Sequence, residues 1–250
     1  MIKKWKIKIP QLSGETERNA YIYLPDDYQT ANKRYPVLYM FDGHNVFFDE
    51  DATYGKSWGM GEYMTSTNKQ MIVVAVECNH KDNKRLEEYA PVDLEFPDVG
   101  KVTGHGKEYM DWMIHTFKPY IDENYPTLVE REHTSLAGSS MGGLMALYGV
   151  CEYNDTFSKA ACISPSFWVS KDKVLDIVTK ADISTDSRVY IDYGSLELPN
   201  HTTSSEALIA VARMLLTRRV NVTFKIVPGG VHNERSWEKQ IPEFMDYLEL

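Results

Sequence analysis

Gly138, Ser140 and Gly142 stand at alternate positions inside TSLAGSSMGGLMALYG, the stretch from Thr134 to Gly149. The residues leading in, HTSLA, read as the end of a strand. Those leading out, MGGLMALYGV, read as a helix with no β-branched residue before Val150. A serine on a sharp strand-to-helix turn holds its hydroxyl clear of the sheet, and glycines two positions to either side let the backbone fold tightly enough to do so. The chemistry this suits is nucleophilic attack by Ser140, with the Met141 amide at the helix start directed to where an oxyanion forms. Ser139 is the intervening residue and faces elsewhere.

A serine nucleophile needs a base, and the base needs an orienting acid. Of seven histidines only His201 and His232 follow Ser140. His232 follows the strand-like NVTFKIVPGG in a glycine-containing loop before the amphipathic ERSWEKQIPEFMDYLEL, whereas His201 has no strand immediately before it. His232 is therefore the expected base. The acid is expected beyond the strand RVYIDYG, where GSLELPN offers Glu197. Asp192 is the competitor, but it sits inside the strand, where its side chain points to one face of the sheet. A second oxyanion donor is expected after YPVLYMFDG, where Asp42 and Gly43 turn the chain and bring up the amide of His44.

The elements that must position these groups follow one rhythm. Short apolar runs of strand character appear at NAYIYLP, YPVLYMFDG, MIVVAVECN, HTSLAGS, KAACISPS, RVYIDYG and NVTFKIVPG, each continuous through its centre as befits strands covered on both faces. MIKKWKIKIPQ alternates lysine with apolar residues and reads as a further strand, able to extend the sheet as an antiparallel hairpin. Helical patterns intervene: Tyr109, Trp112, Met113, Phe117 and Ile121 share one stripe, and Ala207, Leu208, Val211, Met214 and Leu215 another. Strands alternating with helices predict an α/β fold with a mostly parallel central sheet of about eight strands and helices on both faces.

Composition limits the function classes. Hydrophobic residues make up 43% and charged residues 25% of the 250, so residues 1–250 are expected to form one domain that folds without disulfides or metal. The net charge of −9 and pI near 5.3 argue against nucleic-acid binding through a basic face. Cys78, Cys151 and Cys162 are odd in number and lack C-x-x-C spacing, which reads as free buried thiols in a reducing compartment. No apolar run approaches the roughly 20 residues of a membrane helix, and the N-terminus has no signal-peptide core. A cytoplasmic location without membrane attachment is the expectation.

Taken together, YMFDGHNVFFDE, LEEYAP, GSSMGG, SPSFW and PGGVHNERSW resemble the esterase family of α/β-hydrolases that includes enterochelin-esterase-like proteins, feruloyl and acetyl xylan esterases, S-formylglutathione hydrolases and mycolyltransferases. The likeness runs from about Tyr21 to the C-terminus. It implies the α/β-hydrolase fold, a triad of Ser140, Glu197 and His232, oxyanion amides from His44 and Met141, a small-molecule ester substrate, and neither cofactor nor metal. Formylglutathione hydrolases carry a histidine before the elbow serine and another after its double glycine. This chain has Ser139 and Leu144 there, which disfavours that substrate. The extra N-terminal domain often found in enterochelin-type esterases is not expected.

For the substrate pocket, SPSFW should bring Phe167 and Trp168 to the catalytic edge of the sheet, where they could stack on a phenolic or sugar ring. RLEEYAP should bring Arg85 and Glu88 to the same edge. Core packing is the other reading for Trp168, and a solvated loop the other reading for Arg85. The long stretch from His80 to His105, rich in proline and charge, reads as a lid or as a contact with a second subunit in a homodimer. The expected activity is a serine carboxylesterase acting on a feruloyl or acetyl-carbohydrate ester. A siderophore esterase, an acyltransferase with the same triad, and a catalytically silent binding protein are the alternatives.

Overall fold

A computed structural model describes residues 1–96, 99–197 and 202–250. Its strands are β1 (Ile2–Lys8), β2 (Glu17–Tyr23), β3 (Val37–Met40), β4 (Ile72–Val76), β5 (Leu94–Phe96), β6 (Gly100–Val102), β7 (Thr134–Ser139), β8 (Lys159–Ile163), β9 (Arg188–Gly194) and β10 (Asn221–Val227). Eight of them form one sheet in the order β1-β2-β4-β3-β7-β8-β9-β10, and β5 and β6 pair as a separate small hairpin. β1 and β2 run antiparallel to each other, and β2 runs antiparallel to β4. Along the rest of that sheet, β4-β3-β7-β8-β9-β10, every pairing is parallel.

The runs that read as continuously apolar are the ones buried on both faces. β3, β4 and β7 are buried at every position, and β8 and β9 at all but their first. Alternate side chains feed two cores. On one face Ile22, Tyr39, Val74, Leu136, Ala160 and Ile191 meet the helical segments Gly106–Asn124, Met141–Glu152, Lys171–Lys180 and Thr202–Thr217. On the other face Tyr21, Leu38, Val73, Ala137, Ala161 and Tyr190 meet Met60–Thr67 and Ile241–Tyr247. β1, with alternating burial and four lysines among its residues Ile2–Lys8, is an edge strand whose charges discourage further pairing.

The stripe Tyr109, Trp112, Met113, Phe117 and Ile121 is buried throughout, on a helix that runs from Gly106 to Asn124. Its middle, Met113–Phe117, is wound as a π-helix. The widening comes just before Pro119, which has no N–H to give to an α-helical bond. The described part of the stretch from His80 to His105 holds a short helix, Lys84–Glu88, and the β5–β6 hairpin. Tyr89, Ala90, Leu94 and Val102 anchor it in the core. Pro97 and Asp98 lie outside the described residues.

The parallel order places the carboxyl ends of β3, β4, β7, β8, β9 and β10 along one edge, where ligands of open α/β sheets bind. All the loops that carry the expected site residues leave from that edge.

Candidate active site

β7 ends at Ser139 and the helix Met141–Glu152 begins two residues on, so Ser140 alone makes the turn. Its φ of 57° and ψ of −121° are a conformation that L-residues avoid. The surrounding structure imposes it: the Ser140 amide donates to the Ile163 carbonyl at 3.0 Å, and the Ser140 carbonyl accepts from the Ser166 amide at 3.0 Å. A Cβ at Gly138 would lie 2.5 Å from the Gly142 backbone, and one at Gly142 would lie 3.0 Å from Phe41 Cβ. Close approach of backbone thus requires glycine at 138 and leaves a Cβ at 142 tightly crowded. The Ser140 hydroxyl meets the Ser166 hydroxyl at 3.2 Å.

The loop after β9 closes on itself, with the Glu197 amide donating to the Gly194 carbonyl. It is laced to the loop after β10 by Ser195 N–H to the Val227 carbonyl and Leu196 N–H to the Gly230 carbonyl. Asn233 then caps the helix Glu234–Glu238 through the Ser236 amide, which fixes where the preceding His232 stands. The two loops bring Glu197 Oε2 to 2.6 Å from His232 Nδ1. Glu197 Oε1 accepts from the Ser164 hydroxyl at 2.8 Å and from the Gly194 amide at 3.1 Å. Ser164 Oγ in turn accepts from the Trp237 indole N–H at 3.0 Å, and the His232 ring stands edge-on to Trp237.

The carboxylate beside His232 is therefore Glu197. Asp192 lies buried in β9, with Oδ1 accepting from the Ser164 amide, and burial raises its pKa to about 7. His201 lies outside the described residues.

The turn after β3 is braced from three sides. Asp42 adopts the left-handed conformation, φ 55°, and its amide donates to the Tyr89 hydroxyl at 3.0 Å. Both its carboxylate oxygens accept from Arg85, Nε to Oδ1 and NH2 to Oδ2, each at 2.7 Å. Burial alone would raise the Asp42 pKa, but the Arg85 guanidinium outweighs it and holds the carboxyl below its usual range. Gly43 follows because a Cβ there would sit 2.7 Å from the β4 backbone at Val76. Among the described residues, neither the His44 nor the Met141 amide donates to a turn or loop carbonyl. Such first-turn amides have no partner inside their helix and are available to an anion.

One cleft of about 390 Å³ unites these groups, lined by Ser139, Ser140, His232, Asp42, His44 and Arg85. Sequence reasoning missed several neighbours: Ser166 beside Ser140, Ser164 and Trp237 behind the Glu197–His232 pair, and Tyr54, Asn79, His80 and Glu234 in the walls. The pattern Asn233-x-x-Ser236 after the last strand is a cap signal that would have placed Trp237 on the first turn beside His232.

Three expected pocket residues are corrected. After Pro165 the chain turns into the 3₁₀ segment Phe167–Ser170, and this turn carries Phe167 into the core with no exposed surface. Trp168 is partly buried and packs against the same core. Neither lines the cleft. Glu88 also stays away from it, buried in an ion pair with Arg18 of β2 at 2.9 Å. Burial raises the Glu88 carboxyl while the Arg18 charge opposes the rise.

The strand order, the elbow at Ser140 and the cleft at the sheet's carboxyl edge together define an α/β-hydrolase. A family model described as "Putative esterase" matches residues 13–248, and the chain belongs to that family. Membership carries hydrolysis of ester bonds as the class of activity. Over 250 aligned residues the chain is 24% identical to an uncharacterized protein, YbbA, of Bacillus subtilis, covering 92% of each. Among solved structures, a ferulic acid esterase superposes with a TM-score of 0.71 at 17% identity, over 99% of this chain and 97% of that one. The enterobactin esterase of Shigella flexneri, with 2,3-dihydroxy-N-benzoyl-serine present, superposes at a TM-score of 0.75 and 17% identity, over 99% of this chain and 59% of that one. At these identities the two structures speak to the fold. Among the described residues, no helix is long and apolar enough to cross a membrane.

Proposed function

We propose that the chain is a serine carboxylesterase that removes a short acyl group from a polar, hydroxyl-rich alcohol. The observation that carries this is the 2.6 Å contact of His232 with Glu197 in the same cleft as Ser140, which is held at positive φ on its turn. His232 takes the Ser140 proton, the alkoxide attacks the ester carbonyl, and the amides of His44 and Met141 receive the oxyanion. His232 returns the proton to the departing alcohol, and water releases the acid by the same steps. Glu197 holds the proton-bearing Nδ1 so that Nε2 is free to act.

The choice of substrate rests on the cleft. Asn45, Thr53, Asn79, Asp82, Arg85 and Glu234 put hydrogen-bonding groups along its walls beside the apolar surface of Tyr54 and Trp237, and its volume is at the small end for ligand pockets. With Phe167 in the core and Trp168 partly buried against it, neither lining the cleft, a stacking surface for a feruloyl ring loses its support, and an acetylated sugar is the better fit. Purified wild type should hydrolyse p-nitrophenyl acetate and acetylated xylo-oligosaccharide faster than methyl ferulate. Ser140→Ala should lower kcat on the order of 10⁴- to 10⁶-fold with the fold intact. Wild-type-like turnover in that variant, or no labelling of wild type by a fluorophosphonate probe, would overturn the reading.

A further inference from the structure

In the lining of the cleft, His44, Cys78 and His80 each offer one ligand atom, and the three atoms all lie within 4.8 Å of one another. The triad reading uses none of these three side chains. Two imidazoles are already oriented as metal-ligating histidines usually are, with one ring nitrogen fixed by a protein partner. His80 Nε2 meets Glu77 Oε1 at 3.1 Å, which leaves Nδ1 4.0 Å from Cys78 Sγ. His44 Nε2 meets Thr53 Oγ1 at 3.0 Å, and its Nδ1 is buried without a hydrogen-bond partner. The residue as a whole is 3% exposed, so no bulk water compensates that nitrogen. The two rings stand edge to face with centroids 4.4 Å apart.

We propose that His44, Cys78 and His80 form a binding site for a borderline-soft divalent cation such as zinc or cobalt, through His44 Nδ1, Cys78 Sγ and His80 Nδ1. Two imidazole nitrogens and a thiolate select this class of ion and reject magnesium or calcium, which require oxygen ligands. In a tetrahedral zinc site a sulfur and a nitrogen ligand are about 3.6 Å apart. The 4.0 Å between Cys78 and His80 needs only a small inward movement of the half-exposed His80 ring. Three protein ligands leave a fourth position, open to water or to a molecule in the cleft. Binding forms the metal–sulfur bond as Cys78 gives its thiol proton to solvent. The site is independent of the esterase reading, because it is read by metal binding.

The test is a titration of the purified, chelator-treated full chain with cobalt(II) in a thiol-free reducing buffer, followed by absorbance. The wild type should bind one equivalent saturably, with a thiolate-to-cobalt band in the near ultraviolet and tetrahedral d–d bands in the visible. Cys78→Ser should lose the near-ultraviolet band. His80→Gln should weaken affinity at least tenfold, and Glu77→Gln by about 10- to 100-fold through loss of the outer hydrogen bond. Zinc should displace cobalt. Absence of saturable binding up to millimolar cobalt, or a thiolate band that persists in Cys78→Ser, would overturn the proposal. If Cys78→Ser does not fold, His80→Gln decides alone: unchanged affinity in that folded variant refutes the site.

Discussion

Replacing Glu197 by glutamine changes one oxygen to an amide nitrogen, and the structure dictates which one. Oε1 faces two donors, the Gly194 amide and the Ser164 hydroxyl. The hydroxyl points its proton at Glu197, because the carboxylate oxygen can only accept, and the Gly194 amide on the same oxygen can only donate, while Ser164 Oγ accepts in turn from the Trp237 indole. The glutamine carbonyl must therefore take the Oε1 position, and its NH₂ group takes the place of Oε2, 2.6 Å from His232 Nδ1 in the wild type. Two N–H groups cannot face each other at that distance. His232 must either swing away or move its proton to Nε2, the nitrogen that accepts from Ser140 in the proposed mechanism.

Loss of one charge-assisted hydrogen bond is worth about 1.5–3 kcal/mol, or roughly 10- to 150-fold in rate. The reversed tautomer adds to this, and the corresponding asparagine change in a serine protease triad costs about 10⁴. For Glu197→Gln we expect kcat/KM on p-nitrophenyl acetate to fall by about 10²- to 10⁴-fold, with a melting curve near that of wild type. Asp192 offers no rescue, since its Oδ1 already accepts from the Ser164 amide within the sheet. Initial rates, normalised to active sites counted by fluorophosphonate labelling, measure the loss. A folded Glu197→Gln protein with wild-type kcat/KM would refute the assignment of the acid.

Gly138→Ala sets a methyl 2.5 Å from the Gly142 backbone, so the turn must shift. Thermal melting should show a loss of about 1–3 kcal/mol, and the displaced Ser140 should lose turnover even where the protein stays folded. Arg18→Ala strands the buried Glu88 carboxylate and should destabilise by about 3–5 kcal/mol, whereas Arg18→Met with Glu88→Leu should recover most of it. Urea unfolding distinguishes the two. The Asp192 carboxyl, raised from 3.8 to about 7 by burial, is favoured in its protonated form in the folded chain. Its contribution is fully present below pH 3.8 and is lost as pH rises through 7, on the order of 4 kcal/mol at most. Asp192→Asn should therefore gain melting temperature over wild type at pH 8 and much less at pH 5, without loss of turnover.

The parts of the molecule legible in the sequence are those fixed by local spacing. Continuous apolar runs announced β3, β4, β7, β8 and β9 because burial on both faces removes the alternation that would otherwise confuse strand with surface. The Gly138-x-Ser140-x-Gly142 spacing announced its turn because two backbones approach too closely there for any Cβ. What escaped was set by distant contacts. Glu88 looked like a cleft residue on charge alone, and its partner Arg18 is on a strand at the far end of the sequence map. Phe167 sits where a strand ends, so its direction depends on the turn made by Pro165 and Ser166 and not on the strand's alternation. Between Glu197 and Asp192, strand position favoured the former, and it is Glu197 whose Oε2 lies 2.6 Å from His232 Nδ1. The shared neighbourhood of His44, Cys78 and His80 arises because Gly43 brings its loop against β4, a proximity no spacing rule reports.

The Asp42–Arg85 pair divides the cleft into a part that tolerates change and a part that does not. Asp42 holds the turn bearing the His44 amide, so exchanging either partner to alter preference for a substrate would disturb the turn proposed to receive the oxyanion as well. Tyr54, 82% exposed at the cleft mouth, and the exposed Asp82 carry no such obligation. Divergence among relatives, and libraries built in the laboratory, should therefore find new ester preferences along the rim formed by Tyr54 and Asp82, while the braced wall stays as it is.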